Sequence, residues 1–132
     1  MCKIGDIIVI EKYRHGNEIL SKHSFIVVDD KNGTIMGFAF DMAAVVMSSF
    51  KSEEQRRKKL SYPGNMELLN SDTETVPDNG KDGFIKADQL YLFRRENIDF
   101  TVIGTINEEK LEALLDFMES GKFEVTTITD NL

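Results

Sequence analysis

The chain has 132 residues, 41% hydrophobic and 30% charged, which fits one domain able to bury a core without disulfide or metal support. A formal net charge of −7 excludes broad, non-specific coating of nucleic acid. The single cysteine, Cys2, excludes an internal disulfide and fits a reducing compartment.

Residues 4–10 are rich in β-formers (Ile4, Ile7, Ile8, Val9, Ile10) and predict a strand that is apolar on both faces, hence central in a sheet. Lys3, Asp6 and Glu11 break the run, so it has no signal-peptide core. No segment reaches the ~18 apolar residues of a membrane helix, and a cytoplasmic location is expected. Residues 12–18 are polar, contain Gly16-Asn17, and read as a solvated loop carrying Tyr13, Arg14 and His15.

Lys22-His23-Ser24 leads into a second short strand, Phe25-Ile26-Val27-Val28. Lys31-Asn32-Gly33 signals a tight turn. Residues 34–40 alternate (Met36, Phe38 and Phe40 on one face) and predict a third strand, with Gly37 marking a bend.

The fourth strand begins at Ala43 and holds the most informative stretch. Ala43-Ala44-Val45-Val46-Met47 demands burial, and then the polarity switches to Ser48-Ser49-Phe50-Lys51, as at the rim of a sheet. Ser52-Glu53-Glu54-Gln55 follows as a capping box, so the strand leads straight into a short helix over 52–60. Its acids come first and its bases last, which complements the helix dipole. Lys51, Arg56, Arg57, Lys58 and Lys59 place five of 16 basic side chains within nine positions, a phosphate-tracking patch in an otherwise acidic chain.

Further on, residues 66–69 predict a short strand, and 70–82, polar with Pro77 and Gly80, a long mobile loop. Residues 84–86 and 89–93 read as strand pieces, and 99–106 as another strand. Asn107 caps a helix whose Leu111, Leu114, Leu115 and Met118 form one apolar stripe, closed by Gly121. The tail, 122–132, holds Phe123-Glu124-Val125-Thr126-Thr127, a short added strand or an interface segment. Five to seven strands, a short connecting helix and a terminal amphipathic helix predict an α+β, mainly β single domain over 1–132, a small bent barrel with a closing helix.

In order along the chain stand Gly5-Asp6-Ile7-Ile8, His23-Ser24-Phe25-Ile26-Val27-Val28, Ala44-Val45-Val46-Met47-Ser48-Ser49, Ile85-Lys86-Ala87-Asp88-Gln89-Leu90 and Ile103-Gly104-Thr105-Ile106. This series resembles the MazF/PemK toxin superfamily, and Ser48-Ser49-Phe50-Lys51 is nearest the Thr/Ser-Ser-x-Lys pattern of its ToxN/AbiQ branch. The resemblance implies an SH3-like barrel and a homodimer. It implies a metal-independent, cofactor-free endoribonuclease of a toxin–antitoxin or phage-defence system, silenced by an RNA or protein antitoxin. Carried over by position, Ser48, Ser49 and Lys51 fall on the strand-end catalytic pattern. His23 stands where many members have Arg, and Ser24 where they have Pro, so the usual Arg-Pro pair is absent.

The chemistry sets its own demands. Cleaving RNA without a metal requires the 2′-OH to attack phosphorus, a base to take its proton, a cation to offset phosphorane charge and an acid to protonate the 5′-oxygen, leaving a 2′,3′-cyclic phosphate. His23 suits the proton roles, Lys51 the charge role, and Ser48 or Ser49 a hydrogen bond to a non-bridging oxygen. In a regular strand the two serines face opposite ways. Ser49 is preferred because Ser48 follows Ala44 and Val46, whose small size suits a barrel interior. Lys22, Arg14, Arg56, Arg57, Lys58 and Lys59 are the expected contacts to single-stranded RNA. The competing expectation is a non-catalytic SH3-like module that binds protein or nucleic acid, consistent with the missing Arg-Pro pair and the net charge of −7.

Overall fold

The computed structural model describes residues 2–35, 37–78 and 80–132. Its frame is a long antiparallel hairpin. Strands β1 (Asp6–His15) and β2 (Glu18–Asp29) hold one register from Ile7↔Ile26 to His15↔Glu18. Gly16 turns between them at φ 61°, a conformation glycine adopts without a Cβ penalty. The expected loop over 12–18 is therefore mostly ladder. Lys12, Arg14 and Glu18 are exposed strand residues, so their polarity marks solvent contact rather than lost pairing. Tyr13 is not a solvated loop residue either; it is 4% exposed and packs edge-on against Phe25 and Tyr91.

The expected third strand is folded in two. β3 (Gly33–Ile35) and β4 (Phe38–Phe40) pair as a separate two-stranded ribbon, and Gly37 at φ 82° makes the turn. The alternation expected at Met36 lies outside the described residues. β5 (Met42–Ser49) then pairs with β2 on one side. On its other side it pairs successively with β9 (Gln89–Phe93) and β8 (Gly83–Lys86).

Between them the chain forms α1 (Glu53–Leu60), β6 (Asn65–Leu68) and β7 (Thr73–Thr75). Ser52 caps α1 by accepting from the Gln55 amide at 3.0 Å. Gln55 reaches back beyond the cap to accept from the Lys51 amide at 2.6 Å. Of the expected loop over 70–82, residues 70–75 are ordered as a 3-10 turn at Asn70–Asp72 and then β7, while 76–78 and 80–82 form no helix or strand; the Asp82 carboxylate accepts from the Asn70 amide at 2.7 Å.

β10 (Phe100–Ile106), α2 (Glu108–Glu119) and β11 (Thr126–Asn131) complete the chain. Asn107 caps α2 by accepting from the Lys110 amide at 2.7 Å, and Gly121 stands past its end at φ 75°. The tail strand lies a few residues beyond its expected position.

The nine-stranded sheet runs β11-β9-β5-β2-β1-β10-β7, with β8 pairing β5 and β6 pairing β8. It is antiparallel except for β11 against β9, and β1 is interior as expected. Each face carries a core. Ile8, Ile10, Phe25, Val27, Ala44, Val46, Tyr91 and Phe93 fill one. Ile7, Ile26, Val45, Ile85 and Leu92 form the other, covered by Leu114 of α2 with Leu111, Leu115 and Met118 beside it. Asn131 on β11 bonds both backbone groups of Arg14, at 2.6 and 3.0 Å. β11 and β1 are distant in strand order, so the sheet curls over its first core. The fold is mainly antiparallel β with two α-helices; among the described residues no ladder joins the end strands β7 and β11. No described helix is long and apolar enough to cross a membrane.

Candidate anion-binding groove

The ladder around β5 decides which side chains meet. Ile26 and Val45 lie beneath α2, and strand side chains alternate faces. Ser24 and Met47, paired directly, therefore share the α2 face, as does Val9 across from Ser24. Extending the β2–β5 register by two residues puts Lys22 across from Ser49 on that same face. The β5–β8 ladder stays regular through Ser49↔Gly83, with no bulge to re-aim either serine. The Phe50 amide donates to the Asp82 carbonyl at 3.1 Å, which carries the pairing one step further and sets Lys81 across from Lys51.

Beyond the end of α2's coverage this face opens as a depression of about 810 Å³. Val9 and Met47 form its apolar floor, with Lys22, Ser24, Ser49, Lys51 and Lys81 around it. His23, Ser48 and Phe50 border it. No carboxylate lines it, in a chain whose net charge is −7. Two hydroxyls and three ammonium-bearing side chains on one face make a site for an anion.

His23 reaches the groove from the other side of the ladder. Alternation gives it the face of Phe25, with Ser48 on the face of Val46. Its ring meets Tyr13 edge-on at 5.8 Å, and Nδ1 lies 3.1 Å from the Ser21 carbonyl. The carbonyl can only accept, so Nδ1–H donates to it and Nε2 is left as the ring's acceptor nitrogen.

The basic cluster that the sequence singles out is divided. Arg56 pairs with Glu67, lies 3.9 Å from Asp82, and stands 5.5 Å over the Phe50 ring. Lys59 stands 5.8 Å over the Phe84 ring, itself stacked on Phe50 at 5.4 Å. Arg56 ties α1 to β6 and Lys59 packs it against β8. Arg57 and Lys58 are exposed on α1 and do not line the groove. Arg14 lies elsewhere, in a depression of about 460 Å³ with Lys12, Tyr13, Asp130 and Asn131. Thus His23, Ser48, Ser49, Lys51 and Lys22 come together, while Arg14 and the α1 cluster do not join them.

Sequence reasoning missed Lys81, Ser24 and Met47 as site residues. Ser24 and Met47 carry a signal in hindsight, since Ser24 adjoins the apolar run of its strand and Met47 ends that of its own. Lys81 carries none.

Away from the groove, burial of Tyr91 beside Tyr13 and Asp130 pushes its phenol well above the ordinary value, and burial also raises Tyr13. The Tyr91 hydroxyl lies 3.3 Å from His15 Nδ1. Among the described residues no three His, Cys, Asp or Glu side chains converge as a metal site. Comparison with family models, with curated proteins and with solved structures finds no match to this chain.

Proposed function

We propose that this groove holds the phosphodiester backbone of single-stranded RNA and that the chain is a metal-independent endoribonuclease of the MazF/PemK type. In this reading the curled sheet with α2 on its outer face is an SH3-like barrel. The protein works in the cytoplasm as a homodimer and is restrained by an RNA or protein antitoxin. The observation that carries the reading is the convergence of Lys22, Ser24, Ser49 and Lys51 on one face of a carboxylate-free depression. Lys51 and Lys22 offset charge on the phosphorane, and Ser49 donates to a non-bridging oxygen. His23 Nε2, at the rim, takes the 2′ proton, and a lysine ammonium protonates the departing 5′-oxygen. The product is a 2′,3′-cyclic phosphate.

Incubating the protein with mixed RNAs in EDTA tests this. Cleavage with cyclic phosphate ends is expected, and Lys51→Ala, Ser49→Ala and His23→Ala should each slow it by ~10²-fold or more. A well-folded sample that cuts none of the RNAs refutes the nuclease reading.

A second reading has its own support. His23 and Ser48 fall on the opposite ladder face from Lys22 and Ser49, an arrangement that suits a module binding an anionic partner without cutting it. It expects RNA binding that weakens steeply with salt, no cleavage, and His23→Ala without consequence.

A further inference from the structure

Three lysines, not one, stand on the groove face. Lys22 lies across from Ser49, and Lys51 across from Lys81, by continuation of the β2–β5 and β5–β8 registers. Gly83 lies across from Ser49 on the other side of β5, two residues from Lys81. A Cβ there would meet the Ser48 carbonyl oxygen at 2.0 Å, so the position is confined to glycine. Like charges directly opposite on neighbouring strands repel, and an anion lying between them relieves that repulsion. The Lys22–Ser49 rank and the Lys51–Lys81 rank stand two residues apart along β5, about 7 Å, which gives each rank room for its own phosphate.

The groove also continues. A smaller depression of about 230 Å³ shares Phe50, Lys51 and Lys81 with it and leads toward the start of α1. Glu53, Asp82 and Arg56, the last paired with Glu67, border that end, so the run of groove lysines stops at the Lys51–Lys81 pair.

We infer that the groove engages at least two consecutive phosphates of one strand, with Lys81 as a further substrate-binding residue opposite Lys51. The inference rests on the RNA-binding reading above and narrows it. The ligand is an oligonucleotide, and a dinucleoside monophosphate, with one phosphate, occupies the site poorly. Lys81 comes from the segment between β7 and β8. Asp82, its neighbour, fixes that segment through the Phe50 amide, the Asn70 amide and Arg56. The lysine is therefore held at the groove by the backbone beside it.

A 2′-O-methyl RNA 12-mer lacks the nucleophile and cannot be cut, so its binding can be followed by fluorescence anisotropy across a salt series. Three lysine–phosphate contacts to a single strand predict a slope of log K against log salt near −2, at about −0.7 per contact. Lys81→Gln should flatten the slope by about 0.7 and weaken binding several-fold at moderate salt. Lys81→Arg should restore the slope. The dinucleoside monophosphate should compete at least ~10-fold more weakly than the 12-mer, consistent with the lost phosphate contacts. Should the wild-type chain bind the 12-mer while Lys81→Gln changes neither slope nor affinity, the role of Lys81 is overturned and the groove stands. Should the wild-type chain fail to bind it at low salt, the RNA reading and this inference fall together.

Discussion

Replacing Gly83 with alanine strikes the point on which the groove's geometry depends. The new Cβ would sit 2.0 Å from the Ser48 carbonyl oxygen and 3.1 Å from Ser49 Cα, where ordinary contact begins at 3.4 Å. Both neighbours are backbone, so no side chain can swing aside, and β8 must part from the end of β5 by more than an ångström. That opening stretches the pairing at Ser49↔Gly83 and the Phe50–Asp82 bond beyond hydrogen-bond range. Each backbone bond contributes about 1 kcal/mol net, and a donor left buried without a partner costs about 1–3 kcal/mol more. A loss of roughly 2–4 kcal/mol follows, on the order of a 10 °C fall in Tm for a chain of this size. Gly104→Ala is the matched comparison. Its Cβ would meet the Glu74 carbonyl at 1.9 Å, in the β10–β7 ladder away from the groove. Both variants should melt early by circular dichroism, but only Gly83→Ala should also weaken RNA binding at a temperature where both are folded. A Gly83→Ala protein that melts within a degree of wild type would show that β5 and β8 are not in this register, and the placement of Lys81 would fall with it.

Leu114 is fully buried between α2 and the second core, so Leu114→Ala should destabilise by about 2–5 kcal/mol in urea unfolding, without altering RNA affinity under native conditions. Arg57→Gln with Lys58→Gln should leave RNA affinity within about twofold, because phosphate contacts set the response and neither side chain lines the groove. Lys51→Gln should lower it ~10-fold at low salt; equal effects from the two would return the binding surface to α1. Because the folded protein holds the Tyr91 proton more tightly than the unfolded chain, whose value is 10.0, this group's stabilisation is complete below pH 10 and is lost as pH rises above it. Thermal melts from pH 8 to 11 should show that decline, and Tyr91→Phe should make it shallower; parallel curves for the two proteins would refute the assignment.

The sequence signals that succeeded are local ones. The capping Ser52, the Leu111–Met118 stripe and the switch at Ser48 each announce themselves within one or two turns of chain, and each is where the pattern puts it. Where expectation and structure differ, the cause is shared: polarity alone does not distinguish an exposed strand or an anchored turn from a loop. Around residues 12–18 the polar side chains lie on the solvent face of a hairpin whose other face still packs Tyr13 into the core. Within 70–82, two of the acids, Asp72 and Asp82, are anchors. Asp72 accepts from the Leu69 amide at 2.8 Å and faces Lys110 at 3.6 Å, and Asp82 ties down Asn70, Phe50 and Arg56. A carboxylate that satisfies a buried or constrained amide has the same letter as one that repels its neighbours in a disordered tract, and only tertiary pairing distinguishes them.

The same limit explains the site. His23, Ser49 and Lys51 were found because they stand beside apolar runs, where a strand's exit from the core is visible in the letters. Which of them share a face depends on register, and register joins residues far apart in sequence: Lys22 to Ser49, Lys51 to Lys81. That pairing puts His23 at the groove's rim on the other ladder face from the lysines, and it brings in Lys81 from the segment before β8. The groove's character therefore comes from three strands converging around Gly83 more than from the Ser-Ser-Phe-Lys run itself. Substitutions that shift β8 along β5 should alter ligand binding even when every groove side chain is kept.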